Sequence, residues 1–170
     1  MTSLRHLALT SAALLAFVAS AAAADTPLPD AIAAPGYVAA LTLHAEGAQV
    51  YECKADASGK LGWAFREPIA TLLTEGKTVG RHYAGPNWEY SDGSAVVGKA
   101  IGNAPGTTAQ DIPWLKLEVT SQRGTGTLSG VALVQRVNTK GGKADGTCTT
   151  AGAFLSVPYA ADYVFLRKGG

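Results

Sequence analysis

The fifteen residues from Gly80 to Ser94, GRHYAGPNWEYSDGS, gather most of the side chains in this chain that could do chemistry. They hold the imidazole of His82, the amide of Asn87, the carboxylates of Glu89 and Asp92, and the rings of Tyr83, Trp88 and Tyr90, folded about a Gly85-Pro86 corner. Neither an amphipathic helix nor a plain strand calls for that mixture, and functional side chains concentrate on turns carried by a rigid scaffold. Three chemistries are open to it. His82, Glu89 and Asp92 offer nitrogen and oxygen ligands that suit several divalent ions. One imidazole, seven residues from Glu89 across a Gly-Pro corner, is a thin set, so no metal is assigned. Glu89 and Asp92 could serve as the acid and base of a hydrolase, which needs carboxylates about 5–10 Å apart and one raised pKa. The plainer reading is a solvated turn in which Asp92 caps its own backbone. The third chemistry is binding, with Trp88 as a platform and His82, Asn87, Glu89 and Asp92 around it. His82 beside Tyr83 and Trp88 reads first as a buried, hydrogen-bonded packing residue and second as a ligand contact.

Residues outside this segment add less. Arg136 reads as an exposed charge on a strand, with an ion pair to Glu89 or Asp92 as the alternative, and it joins the ligand-binding candidates. Tyr159, at the entry to the last strand, joins them too; Tyr159 and Tyr163 either line a cavity or pack. Trp63 and Trp114 occupy strand positions and read as core. Two glycine patterns are decoys. Gly93-Ser-Ala-Val-Val-Gly98-Lys99 ends in Ala100, where a phosphate-binding loop needs a hydroxyl, and it has strand character. Gly124-Thr-Gly126-Thr-Leu-Ser-Gly130 leads into a strand, where a dinucleotide fold requires a helix N-terminus. No G-x-S-x-G elbow exists, and Ser94 has no obvious base except the distant His82. No catalytic residue and no cofactor is assigned.

The elements that must position these groups are strands. Tyr37 to His44 is apolar and extended. Gln49 to Lys54 alternates, with Tyr51 and Cys53 on one face, and a DASGK turn leads to Trp63 and Phe65 as a hairpin. Ile69 to Leu73 is ambiguous between strand and a turn of helix. Thr78 to Tyr83 and Trp88 to Tyr90 flank the corner, and Ser94 to Ile101 follows the Asp92-Gly93 turn. From Pro113 onward, Leu115, Leu117 and Val119 alternate with Lys116, Glu118 and Thr120, the pattern of an antiparallel sheet with one wet face. Val131, Leu133 and Val137 share a face with Gln135 among them, and Arg136 lies opposite. Tyr163 to Arg167 is the last strand. No helix-period segment of ten or more residues follows the leader. Eight to ten short strands imply one all-β domain, an antiparallel sandwich or a partly closed barrel.

The leader is residues 1–24. Arg5 and His6 form a basic start, Leu7 to Ala19 an apolar run, and Ala22-Ala23-Ala24 a small-residue cleavage site, together a secretory signal peptide. Its apolar core is short of the ~20 residues of a spanning helix, and no later stretch qualifies as an integral membrane segment. Residues 25–35, with three prolines, read as an extended arm, and 36–170 as the domain. Setting Arg5 aside leaves thirteen Lys and Arg against thirteen Asp and Glu. That balance lacks the basic footprint of nucleic-acid binding. The two cysteines, Cys53 and Cys148, form an even pair in an exported chain and therefore read as a disulfide.

Six ordered segments, GAQVYEC, W-x-F, VGRHYAGPNWEYSDGS, IPWLKLEV, VQRVNTKGG and VPYAADYVF, resemble domain-of-unknown-function family 3455. The resemblance spans Pro35 to Phe165. It implies an exported single domain of a kind found in bacteria and fungi, and it supplies no catalytic residue. Both cysteines fall on motif positions. Lys143-Ala-Asp stands where the family pattern often has Ala-Pro after the glycines. The function expected is a periplasmic or secreted module that binds a small molecule, a glycan or an envelope component. A hydrolase of an envelope or extracellular polymer and a self-associating envelope protein are the alternatives.

Overall fold

The computed structural model describes residues 27–170, so the signal-peptide reading of 1–24 lies outside the described residues. Eight strands follow one another: β1 (Tyr37–Ala55), β2 (Leu61–Thr74), β3 (Lys77–Tyr83), β4 (Asn87–Tyr90), β5 (Ala95–Ala104), β6 (Trp114–Arg123), β7 (Leu133–Gly141) and β8 (Phe154–Lys168). Each pairs antiparallel with the next, and β8 returns to β1 over most of its length, from Tyr37↔Lys168 to Glu52↔Phe154. Of the two expected architectures the barrel is the one formed, and its ring is closed. Closure removes the free strand edges through which sheets aggregate.

The expected short strands fuse. Tyr37–His44 and Gln49–Lys54 are one strand of 19 residues, and the ambiguous Ile69–Leu73 belongs to a continuous β2. Interior positions follow the period of two: Leu43, Ala45, Gln49, Tyr51 and Cys53 on β1, Leu117 on β6, and Tyr159, Ala161, Tyr163 and Phe165 on β8, all buried. A bulge at Arg66 interrupts β2, so that Val50 faces Glu67 while Tyr51 faces Phe65. The extra residue switches the inward parity of β2 and turns Phe65 toward the barrel opening, a common use of bulges at barrel rims.

On β7 the two faces separate as expected, but the apolar face is the outer one. Val134 and Arg136 stand opposite the inward-facing Leu117 and Leu115. Gln135 and Val137 are buried on the outside, beneath the N-terminal segment. That segment is therefore not an extended arm. Residues 30–32 form a turn, Ile32 packs with Ala104 and Val137, and Gln135 Nε2 donates to the Ile32 carbonyl at 2.6 Å. Lys116 Nζ adds a bond to the Ala33 carbonyl at 2.8 Å.

Antiparallel connectivity sends alternate connections to opposite ends. One end is closed by the β6–β7 connection, whose Leu128 and Val131 enter the central core with Val96, Val134 and Phe165. The other end carries the β1–β2 and β3–β4 turns and the longer β5–β6 and β7–β8 loops. There Cys53 and Cys148 form a disulfide, with Cα atoms 5.8 Å apart and a sequence separation of 95. Tyr51 also donates its hydroxyl to the Gly142 carbonyl at 2.7 Å.

Candidate ligand cavity at the open end

His82 and Trp88 are cross-strand partners on β3 and β4. Directly opposed residues share a face, so both rings enter the barrel, and they stack with centroids 4.6 Å apart and planes 10° from parallel. Two glycines permit this. Gly85, at φ 135°, makes the corner between the strands, where a side chain would strike the Asn87 amide. Gly98 on β5 is the seat of the indole: a Cβ there would lie 2.9 Å from Trp88 Cζ3. From β8, Tyr163 meets both rings, at 4.9 Å from His82 and 5.3 Å from Trp88, and Phe165 meets the indole edge-on at 6.3 Å.

The imidazole is neutral and its tautomer follows from its partner. Nδ1 lies 2.8 Å from the Asn87 carbonyl, which can only accept, so Nδ1 carries the proton and Nε2 is the free lone pair. Burial, opposed by the Asn87 carbonyl and aided by the Arg136 charge, lowers the His82 pKa to about 3. His82 is therefore no general base at neutral pH with a matched pKa, and acts as a flat, uncharged ring.

Above this aromatic floor is a cavity of about 360 Å³, bounded by Gln49, Phe65, Pro86, Leu117 and Arg136. A second hollow of about 310 Å³ shares Gln49, Phe65, Leu115 and Arg136 and runs toward Tyr51 and Ile112, so the two form one mouth. Arg136 is its cation. Nε and Nη2 donate to the Pro113 carbonyl at 3.1 and 2.9 Å. Among the described residues no carboxylate forms an ion pair with it, although Arg66, Arg81 and Arg123 all have glutamate partners. Its field reaches inward and opposes the rise that burial imposes on the Tyr51, Tyr159 and Tyr163 hydroxyls. Tyr159 is in the barrel core below the cavity lining, with its hydroxyl 3.4 Å from that of Tyr163. Gln49 is 2% exposed, and its Nε2 has no hydrogen bond of normal geometry, although the amide lies close enough to the Tyr159 hydroxyl to favour its ionised form. The indole Nε1 of Trp88 is likewise buried without a partner.

The structure thus brings His82, Trp88 and Arg136 together, with Tyr159 one layer back, and sends the other candidates elsewhere. Asn87 is a turn residue: its side chain bonds the Ala84 carbonyl. Glu89 follows Trp88 and points outward, held by Arg123 at 2.9 Å, Arg81 at 3.2 Å and the Tyr83 hydroxyl at 3.0 Å. The Tyr83 bond, then Arg123 and Arg81, lower its pKa. Asp92 sits at the closed end, where Oδ1 accepts from the Ser94 amide and hydroxyl and Oδ2 from the Thr127 amide at 2.7 Å. Those bonds, the Ser94 hydroxyl first, hold it ionised. Neither carboxylate has the raised pKa of a general acid, and His82 faces away from both. Ser94 Oγ spends its proton on Asp92 and accepts from the Leu128 amide, so it is not an activated nucleophile.

Gln49 and Phe65 are cavity residues that residue chemistry alone passes over. The signal for Gln49 is parity: it shares its strand face with Tyr51 and Cys53, and a polar side chain in such a row marks a polar point in an apolar wall. Phe65 has no such signal, because its direction depends on the Arg66 bulge.

No curated protein and no solved structure matches this chain. A family model described as "Protein of unknown function (DUF3455)" matches residues 33–167, and on that match the chain belongs to the DUF3455 family.

Proposed function

We propose that the protein is an exported, water-facing β-barrel that binds one small molecule in the open end. The observation that carries this reading is the His82–Trp88 stack flooring a cavity of about 360 Å³. A mostly apolar hollow of ~300–1,000 Å³ with a few convergent polar groups is the usual form of a small-molecule site, and eight strands leave room for one small ligand. The outer surface supports a soluble state. Its strands carry Glu46, Arg81, Glu89, Lys99, Glu118 and Asp162 outward and apolar side chains inward, the reverse of a transmembrane barrel. Among the described residues no helix is long and apolar enough to cross a membrane. The disulfide fits an oxidising compartment, the periplasm or the exterior.

Ala100 provides the test. It lines the mouth, is exposed, and pairs across strands with Leu117. Ala100→Phe should fill the opening with little effect on folding. A small-molecule library screened by thermal shift on the wild type should yield ligands whose stabilisation the variant loses. A ligand present at a hundred times its Kd stabilises by about 2.7 kcal/mol, well within reach of the assay. Ligands that stabilise both proteins equally, or a library with none, would count against the cavity.

A further inference from the structure

Building on that reading, we propose that the cavity selects a planar organic monocarboxylate, its carboxylate on Arg136 and Gln49 and its ring over the His82–Trp88 floor. Two independent observations meet here. The first is a guanidinium that borders an apolar cavity and has only neutral partners, the Pro113 carbonyl and, at longer range, the Tyr163 hydroxyl. Arg136 is half-buried, so its charge is within reach of an anion entering from the mouth. The second is the buried Gln49 amide on the same cavity wall, whose Nε2 makes no hydrogen bond of normal geometry and has only the neutral Tyr159 hydroxyl near it. Both features are donors, and a donor pair facing apolar space is matched by an acceptor that is itself charged.

The geometry of Arg136 narrows the anion. Pro113 takes the edge of the guanidinium formed by Nε and Nη2. The other edge, formed by Nη1 and the second Nη2 hydrogen, meets no charged group, the Tyr163 hydroxyl being the other polar neighbour, and it matches the two oxygens of a carboxylate. The remaining charges near the mouth cancel or are absent. Arg66 at the lip is balanced by Glu52 and Glu67, at 3.6 and 3.0 Å, and His82 is uncharged. The unmatched charge is therefore a single positive one, which suits a monoanion. A phosphate dianion would need a second cation or a nest of backbone amides. The body of the ligand is set by the floor: rings stack best on a flat aromatic surface, and His82 and Trp88 lie within 10° of one plane.

Calorimetric titration with benzoate and 2-naphthoate, each beside its primary amide, tests this on the disulfide-bonded protein. The carboxylates should bind at least tenfold tighter than the amides, and 2-naphthoate tighter than benzoate. Arg136→Gln should erase the carboxylate–amide difference. Gln49→Met, which keeps the side-chain volume, should weaken the carboxylates several-fold with the discrimination reduced, and it serves as the second variant if Arg136→Gln folds poorly. Amides that bind as tightly as carboxylates would overturn the inference, as would carboxylate affinity that survives both substitutions. Inorganic phosphate competing as well as benzoate would also overturn it, by making the site a bare anion trap. The two proposals fail separately. If neither carboxylates nor amides bind, yet another ligand does and Ala100→Phe blocks it, the carboxylate assignment falls and the cavity reading stands. If no ligand is blocked by Ala100→Phe, both fall.

Discussion

At the closed end of the barrel, Asp92 accepts three hydrogen bonds, Gln122 bonds the backbone of Gly130 and Val131, and Arg167 donates to the Thr127 and Ser129 carbonyls. At the open end, Gln49 Nε2 and Trp88 Nε1 are buried without a hydrogen bond of normal geometry and Arg136 has no carboxylate. The same fifteen-residue segment serves both ends, since β4 runs from the Gly85-Pro86 corner at one to the Asp92 turn at the other. Its polar residues are therefore not one set. Asp92 locks a turn against the plug of Leu128 and Val131, and Glu89 neutralises Arg81 and Arg123 on the outer wall. Only the inward pair, His82 and Trp88, faces the space left empty. Where donors and acceptors are matched within the chain, the chain is doing architecture. Where they are left unmatched beside a cavity, an outside molecule is the natural partner.

Experiments that strain the two ends unequally test this contrast. Trp88→Ala has the largest expected effect, because the indole is packed by His82, Tyr163, Phe165 and the Gly98 seat. A loss of about 3–5 kcal/mol in denaturant unfolding is expected for such a truncation. A loss under about 1 kcal/mol would mean that the floor is already loose and the cavity is no defined site. Reduction of the disulfide comes next, at about 2–4 kcal/mol. Thiol titration should find no free thiol before reductant and two after. Amide exchange should then rise first in the β7–β8 loop that carries Cys148, while Ser94, Thr127 and Leu128 keep their protection. Equal loosening of both ends would break the contrast.

The smallest effect, and the most specific, is on pH dependence. The His82 pKa is lowered from 6.5 to about 3. Below pH 6.5 the unfolded chain takes up a proton that the native ring refuses, so this contribution is whole above 6.5 and declines as pH falls. The slope is about 1.4 kcal/mol per pH unit. Glu89 and Asp92, with lowered pKa values, act in the same direction, but only from about pH 4.5 downward, where unfolded carboxylates begin to protonate. The interval from 6.5 to 5 therefore separates His82 from these carboxylates. His82→Phe should flatten stability there, whatever it does to stability at pH 7; an unchanged slope would show that the ring is open to water.

Much of this was legible along the chain. The period-two run Leu115, Leu117, Val119 marked β6 with its correct inner face. The two cysteines marked the clamp, because few alternatives exist for an even pair in an exported chain. The Gly85-Pro86 corner between two aromatic strands marked β3 and β4. On β7 the pattern could be read but not its sense. Leu133 and Val137 look like the inner face and Arg136 the outer one, until Ile32 of the N-terminal segment covers Val137 and the cavity takes Arg136.

The sequence by itself determined the all-β class, the centres of most strands though not their lengths, the disulfide partners and the address of the best candidate segment, because these depend on local period, turn chemistry and residue count. The tertiary structure decided which residues face each other. Closing β8 onto β1 converts a strip of alternating faces into an inside and an outside, and the bulge at Arg66 resets which residues of β2 point in. It also splits Trp88 from Glu89 by the thickness of the wall. Arg136, distant in sequence from His82 and Trp88, joins them only because three strands of one ring point at the same space. That convergence is a property of closure, and no local pattern encodes it.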